Sequence, residues 1–290
     1  MKDYRKNQPF RWTVYKLIIL FLSLNIISST SLNAIEQKTT FPPIKATQKT
    51  NTPLLPFFDT DNNPVTIRIP ANQKVDMTPP PPTLNAFDRA VLKTCGPFGG
   101  RVNSESFKQL FALHPDILRQ IKQAVGGSLY PNRNSDSDFL EDLTAIWFNR
   151  RGFEHIFCGK ISGENKISGL HFAARYIQLQ NEGIGGRIPN NSKREEAIPG
   201  VVYTVGVEIK KDNISVRDSH KSYPYVSNAA EIIIDATKAF KAQKNTEGAC
   251  IYNVLDKDTG KSYPAIFVKD SSGIITFYPD VTPKGYPCKN

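Results

Sequence analysis

Apolar and polar positions follow three different rhythms along the chain. In "SESFKQLFALHPDILRQIKQAV" (residues 104–125), Phe107, Leu110, Phe111, Ile117, Ile121 and Val125 recur near helical spacing, and Pro115 divides the stretch into two helices. "SDSDFLEDLTAIWFNRRGF" (135–153) opens on a Ser/Asp cap and continues with Phe139, Leu140, Leu143, Ile146 and Trp147. Beyond Arg151 the rhythm changes. "GVVYTVGVEIK" (200–210) puts Val201, Tyr203, Val205, Val207 and Ile209 on one face of a strand. "YNVLD", "PAIFVKD" and "GIITFYPD" read as further short strands. A helix interrupts them, "NAAEIIIDATKAFKAQ", with Asn228 at the N-cap and Glu231 at the capping-box position. Helices first, then antiparallel meanders without repeated βαβ units, predict an α+β fold. There is no internal repeat.

The third rhythm is an unbroken apolar run. "LIILFLSLNIISS" (Leu17–Ser29) follows Lys2, Arg5, Lys6, Arg11 and Lys16, and small residues come after it up to Ala34. That order is the pattern of a secretory signal peptide over residues 1–34; the run is short for a membrane span. The rival is an uncleaved anchor. Residues 35–85 are rich in Thr, Asn, Gln and Pro and end in "MTPPPPTL", which excludes regular helix. They read as a tether with at most one short strand, "VTIRI" (Val65–Ile69). The expected organisation is therefore a leader (1–34), a tether (35–85), a helical segment (86–150) and a mixed domain (151–290).

The formal charge is +10, of which the leader holds a net +4 (five Lys/Arg against Asp3), leaving +6 on residues 35–290. A basic mature chain suits a polyanionic partner. Lys210, Lys211, Lys241 and Lys244 are candidate surface cations for it. The four cysteines, Cys95, Cys158, Cys250 and Cys288, are an even set in a chain expected to be exported, and they allow three disulfide connectivities. Cys95–Cys158 with Cys250–Cys288 is the preferred one. Localisation is expected to be secreted or periplasmic, without stable membrane association after leader cleavage.

The chain has only four histidines, and two of them, His155 and His171, lie sixteen positions apart in "EHIFCGKISGENKISGLHFAARYIQ". His155-x2-Cys158-x12-His171 imitates part of a zinc-finger spacing, but Ala174, Arg175 and Tyr176 offer no fourth ligand. There is no G-x-S-x-G, Walker loop or GxGxxG. His114, just ahead of Pro115, reads as a turn residue. Paired imidazoles suit a different chemistry. One ring takes a proton while the other gives one, as cleavage of RNA by its own 2′-hydroxyl requires. That reaction also wants a cation at the phosphorus and requires no metal.

The same segment resembles the paired-histidine motif of the EndoU (XendoU-like, poly(U)-specific) endoribonucleases. The matching residues are Glu154, His155, Ile156, Phe157 and Gly159, then Gly169, Leu170 and His171. "DSHKSYPYVSNAAEIIIDATKAF" is similar to the family's lysine block and puts Lys221 in the catalytic position. "GIITFYPD" is similar to the family's C-terminal strand, with Thr276, Tyr278 and Pro279 at the matching places. The resemblance covers roughly residues 150–290. It implies an EndoU-like fold of antiparallel sheets with packed helices, here preceded by a helical segment.

The resemblance further implies an endoribonuclease, which the leader would make a secreted one. It would cleave single-stranded RNA at uridines, leaving a 2′,3′-cyclic phosphate and a 5′-hydroxyl. His155 and His171 are the expected acid and base, Lys221 the phosphorane cation, and Thr276 and Tyr278 the contacts to base and ribose. No cofactor is expected, manganese dependence being the disfavoured option. An immunity or inhibitor protein is a further candidate partner. The alternatives are a non-catalytic RNA-binding module, or a toxin or effector using the same ribonuclease chemistry.

Overall fold

Helices form where the apolar spacing is helical and a cap is available. α1 (Ala86–Cys95) starts at Asn85, whose side chain and that of Asp88 make a reciprocal capping box. α2 (Ser104–Leu113) and α3 (Pro115–Ala124) meet at His114, with Pro115 at the first turn of α3. α4 (Asp136–Phe148) is capped by Ser135. The computed structural model describes residues 54–163, 166–189, 191, 194–211, 213–243 and 247–289, so the expected leader and residues 35–53 lie outside the described residues.

Two hairpins of short strands and two larger sheets account for the rest. β1 (Val65–Ile67) pairs with β2 (Gln73–Val75), and β3 (Lys160–Ile161) with β4 (Ile167–Ser168). α5 (Ala173–Asn181) leads into the first larger sheet, built from β5 (Gly185–Arg187), β6 (Glu196–Ile198), β7 (Val202–Lys211) and β8 (Ile214–Pro224). β7 is its centre and pairs antiparallel with the other three. α6 (Ala229–Ala242), capped by Asn228 and Glu231 as its sequence predicts, crosses to a second meander of β9 (Gly248–Leu255), β10 (Ser262–Lys269) and β11 (Ile274–Pro279). Among the described residues every pairing between these strands is antiparallel, and only the isolated bridges Ile69–Glu196 and Ile251–Pro287 are parallel, so the α+β reading holds.

Two apolar cores result. One joins the four N-terminal helices, α6 and the β9–β11 sheet, around Phe107, Trp147, Phe153 and Phe277. Trp147 is fully buried, and its indole N–H donates to Thr237 Oγ1 at 3.2 Å. The other core lies between the β7-centred sheet, α5 and the segment before α1, around Tyr176, Val207 and Tyr223. The expected division at residue 150 is therefore absent. Phe107 and Phe111 share one core with Phe157 and Phe277, and the Cys95–Cys158 bridge crosses the boundary. Both disulfides, Cys95–Cys158 and Cys250–Cys288, follow the preferred pairing.

The tether reading also fails for residues 54–85. Phe57, Phe58, Ile67 and Met77 are each at most 1% exposed and belong to the second core. Gln180 holds the segment in place, accepting from Phe57 N–H (2.6 Å) and Phe58 N–H (3.0 Å) and donating to Phe58 O (2.9 Å). The physical reason is that an irregular strap needs no periodicity of its own when it completes a core formed by others. Its prolines exclude helix but not burial.

A packed strap and a free tether respond differently to truncation. Phe57→Ala should destabilise the chain by about 3–5 kcal/mol, the usual cost of emptying a buried phenylalanine site. The shift in urea midpoint at unchanged slope measures it. A shift within about 0.5 kcal/mol, as for an exposed residue, would restore the tether.

Candidate active site

His155 sits on a single π-helical turn, Glu154–Cys158, closed by Gly159 N–H donating to Glu154 O at 3.0 Å. Such wide turns are rare and need outside support. Glu154 supplies part of it. Its carboxylate accepts Val102 N–H (2.8 Å) and pairs bidentately with Arg151 (2.6 and 2.8 Å). Arg175, fully buried on α5, donates to Cys158 O at 3.0 Å, and Cys158 is clamped to α1 through Cys95.

His171 is brought to the same place by backbone contacts. The chain leaves the β3–β4 hairpin through Gly169, and the next two amides bond back to the π-turn: Leu170 N–H to His155 O (2.9 Å) and His171 N–H to Ile156 O (2.8 Å). Gly169 has φ +70°, and a Cβ there would lie 1.8 Å from His155 O. Only glycine fits both the conformation and the gap. The imidazole centroids end 5.6 Å apart, with ring planes 43° to one another.

The two rings are anchored differently. His171 is 8% exposed, and its Nδ1 lies 3.0 Å from Ser222 O. A carbonyl only accepts, so Nδ1 carries the hydrogen and Nε2 of the neutral ring keeps its lone pair. His155 Nδ1 lies 3.4 Å from Ser168 Oγ, a longer contact with a group that can donate or accept. Burial is the first cause that lowers both rings. His155 is pushed down to about 4, with Lys221 and Lys160 adding to the effect. His171 is held well below its ordinary value by burial and by His155, opposed by the Ser222 hydrogen bond.

Lys221 comes from β8, opposite Val205 of β7. Its ammonium pairs with Asp218 at 3.0 Å, and the side chain as a whole is 12% exposed. Tyr278 comes from β11 of the other sheet and stacks on His171, with centroids 5.1 Å apart and planes 24° to one another. Ser222 Oγ donates to Pro279 O at 2.7 Å and ties β8 to β11 beneath the site. His171, Thr204, His220, Lys221, Ser222 and Tyr278 are among the residues lining an open pocket of about 280 Å³.

Three of the five expected site residues, His171, Lys221 and Tyr278, line this pocket; His155 does not line it, but its ring lies against that of His171. Thr276 lies two positions before Tyr278 on β11 but does not line the pocket, and its buried Oγ1 has no hydrogen-bond partner among the described residues. His114 is elsewhere, edge-on to Phe87 between α2 and α3. In the zinc-like spacing, Cys158 is bonded to Cys95. Among the described residues, no group of three or more His, Cys, Asp or Glu side chains could hold a metal ion.

Two supporting roles were missed from sequence. Ser222 contributes its carbonyl, which no side-chain motif encodes. Asp218 stands three before Lys221, a spacing without meaning in a regular strand. Two of the expected surface lysines are structural instead. Lys211 donates to Phe98 O (2.6 Å), and Lys241 donates to Ser128 O (2.7 Å) and to Val125 O. Lys244 lies outside the described residues.

Residues 149–281 match the family model described as bacterial EndoU nuclease. Over 59 residues the chain is 37% identical to a uridylate-specific endoribonuclease of Paralichthys olivaceus, a stretch that is 17% of this chain and 15% of that protein. The chain thus spans well under a fifth of that curated relative. Among solved structures, XendoU, described as a splicing-independent snoRNA processing endoribonuclease, aligns with 17% identity and a TM-score of 0.47, over 68% of this chain and 78% of that one. An endoribonuclease encoded by Middle East Respiratory Syndrome Coronavirus aligns with 18% identity and a TM-score of 0.31, over 44% and 33%.

The glycine contact and the buried ring make one joint prediction. In a histidine NMR titration His155 should protonate with a midpoint at about 4. In Gly169→Ala the hairpin must move off His155 O, the ring becomes wetter, and the midpoint should rise toward ~6.5, the ordinary value. An unchanged midpoint in a folded Gly169→Ala protein would falsify the claim that this contact seats the ring.

Proposed function

We propose that this chain, whose residues 149–281 match the family model of the bacterial EndoU nucleases, is a member of that family and cleaves single-stranded RNA at uridines by metal-independent transesterification. The observation that carries the reading is the pair of imidazoles 5.6 Å apart, one of them with Nδ1 committed to a backbone carbonyl. Such a pair can serve the two proton positions of one phosphodiester.

His171 Nε2 takes the proton of the 2′-hydroxyl, and the 2′-oxygen attacks phosphorus. Lys221 faces the extra negative charge on the phosphorane, which exists only along the reaction path. The P–O5′ bond breaks, and His155 gives its proton to the leaving oxygen. The products are a 2′,3′-cyclic phosphate and a 5′-hydroxyl. Tyr278, stacked on His171, orients the ribose and base together with the catalytic ring. Thr276 is assigned to the base edge. Its unpartnered hydroxyl would be satisfied by a uracil group once the strand's side chains shift to admit the base.

Secretion belongs to the same proposal. Two disulfides fit an oxidising compartment, and the expected leader precedes them. A non-catalytic RNA-binding module is the rival, but it would have no use for two buried imidazoles in ring contact within the electrostatic reach of a lysine.

The test is cleavage of a short uridine-containing RNA, with and without EDTA. The new 3′ end should be a cyclic phosphate, and activity should persist in chelator; a 3′-hydroxyl product would point to metal-activated water. His155→Ala and His171→Ala should each lower the rate by roughly 10²–10⁴, whereas His114→Ala should be nearly silent. Wild-type rates in a folded double variant would end the assignment.

The pH profile should carry the signature of a buried acid. In the free enzyme His155 loses its proton at about 4, so the competent acid form declines as pH rises above that value. kcat/KM, which reports the free enzyme, should fall about tenfold per pH unit above roughly pH 5. The bound phosphodiester is an anion and favours the imidazolium, so the descending limb of kcat should lie at higher pH. A kcat/KM that rises between pH 5 and 8 rules out His155 as the acid.

A further inference from the structure

β7 and β8 do not pair in a single register. Val205 faces Lys221, but Val207 faces Asp218, so β8 carries one extra residue at Ser219–His220. A β-bulge of this kind turns the following side chains onto the opposite face. Without it, Asp218 and Lys221, three apart, would point to opposite sides of the sheet. With it they share a side, and their charged groups meet at 3.0 Å.

Asp218 engages both parts of this arrangement. Oδ1 accepts His220 N–H at 3.0 Å, an amide within the bulge. Oδ2 holds the Lys221 ammonium. The bulge is closed from the other side by Asn191, whose Nδ2 donates to Ser219 O at 3.1 Å. Gly206, across from the bulge on β7, leaves room for that amide, since a Cβ there would lie 2.5 Å from Asn191 Nδ2.

We infer that Asp218 is the positioning residue for the catalytic lysine: it fixes the bulge through one oxygen and aims the Lys221 ammonium into the pocket with the other. The inference rests on the ribonuclease reading and adds to it. An ammonium has three donors, so one can stay on Asp218 while the others meet the phosphorane. Lysine is flexible, and a held ammonium loses less freedom on reaching the transition state. His155, His171, Tyr176, His220, Tyr278 and Asp280 are ionisable groups around this point.

Asp218→Asn separates the two tasks. The amide oxygen can still accept His220 N–H, so the bulge survives, but the ion pair is gone. kcat should drop on the order of tenfold or more, with KM for RNA changed by less than about threefold, since the loss falls on the transition state. Asp218→Glu should recover part of kcat. In a Lys221→Ala background Asp218→Asn should add nothing, because the two act as one unit. A readout that needs no turnover is binding of uridine–vanadate, a mimic of the pentacoordinate phosphorus. Asp218→Asn should weaken it about tenfold while leaving a 2′-deoxy oligonucleotide unaffected. An active wild type with normal kcat and vanadate binding in Asp218→Asn overturns the inference alone. So does an Asp218→Asn loss that persists undiminished in Lys221→Ala. An inactive wild type overturns the ribonuclease reading, and the inference with it.

Discussion

The site depends on one close approach of two backbones. Gly169 passes His155 O so tightly that a single added carbon would overlap it, at 1.8 Å. That approach lets Leu170 and His171 donate to the π-turn, and those two bonds fix the separation of the imidazoles. A longer hairpin or a bulkier residue would leave the same histidines in the chain without bringing them together. The surrounding supports serve the same end. Glu154, Arg151, Arg175 and the Cys95–Cys158 bridge all brace the turn that presents His155.

The site also lies where the two cores meet. Phe157 packs in the helical core and Leu170 in the sheet core, a few residues either side of the contact. Lys221 arrives from one sheet and Tyr278 from the other, and Ser222 hydrogen-bonds across to Pro279. Neither sheet could assemble the site alone. The helical segment is therefore part of the frame of the candidate site, because it shares one core with the π-turn.

Sequence patterns reported on whatever was regular. Helical spacing located α2, α3 and α4, alternation located β7, and the glycine-flanked histidines located the site. Three features escaped for physical reasons. The strap around Phe57 and Phe58 has no period, because its partners lie elsewhere in the chain. The pairing of Asp218 with Lys221 is invisible at fixed strand period, since a bulge resets the alternation. The Ser222 carbonyl belongs to the backbone and leaves no mark in residue identity. Thr276 was legible as a motif residue, but its burial was not, because alternation assigns a face and not a depth.

Burial creates a tension that the substrate itself can resolve. In the proposed reaction a dry site would strengthen every interaction with the phosphorane, yet the same dryness disfavours the proton on His155, whose ring falls to about 4. At pH 7 only about one ring in a thousand would then be protonated in the free protein. Lys221 makes this worse, since a cation near an imidazole opposes a second positive charge. A phosphodiester entering between them brings a negative charge that both groups can share. It offsets Lys221 and favours the imidazolium in one step, so binding the anion also loads the acid. Asp218 acts in the same direction before the RNA arrives, because its carboxylate offsets part of the lysine's charge. Under the proposed reaction, a site built this way would be poorly loaded for proton transfer when empty and would become competent with the charge of its substrate in place.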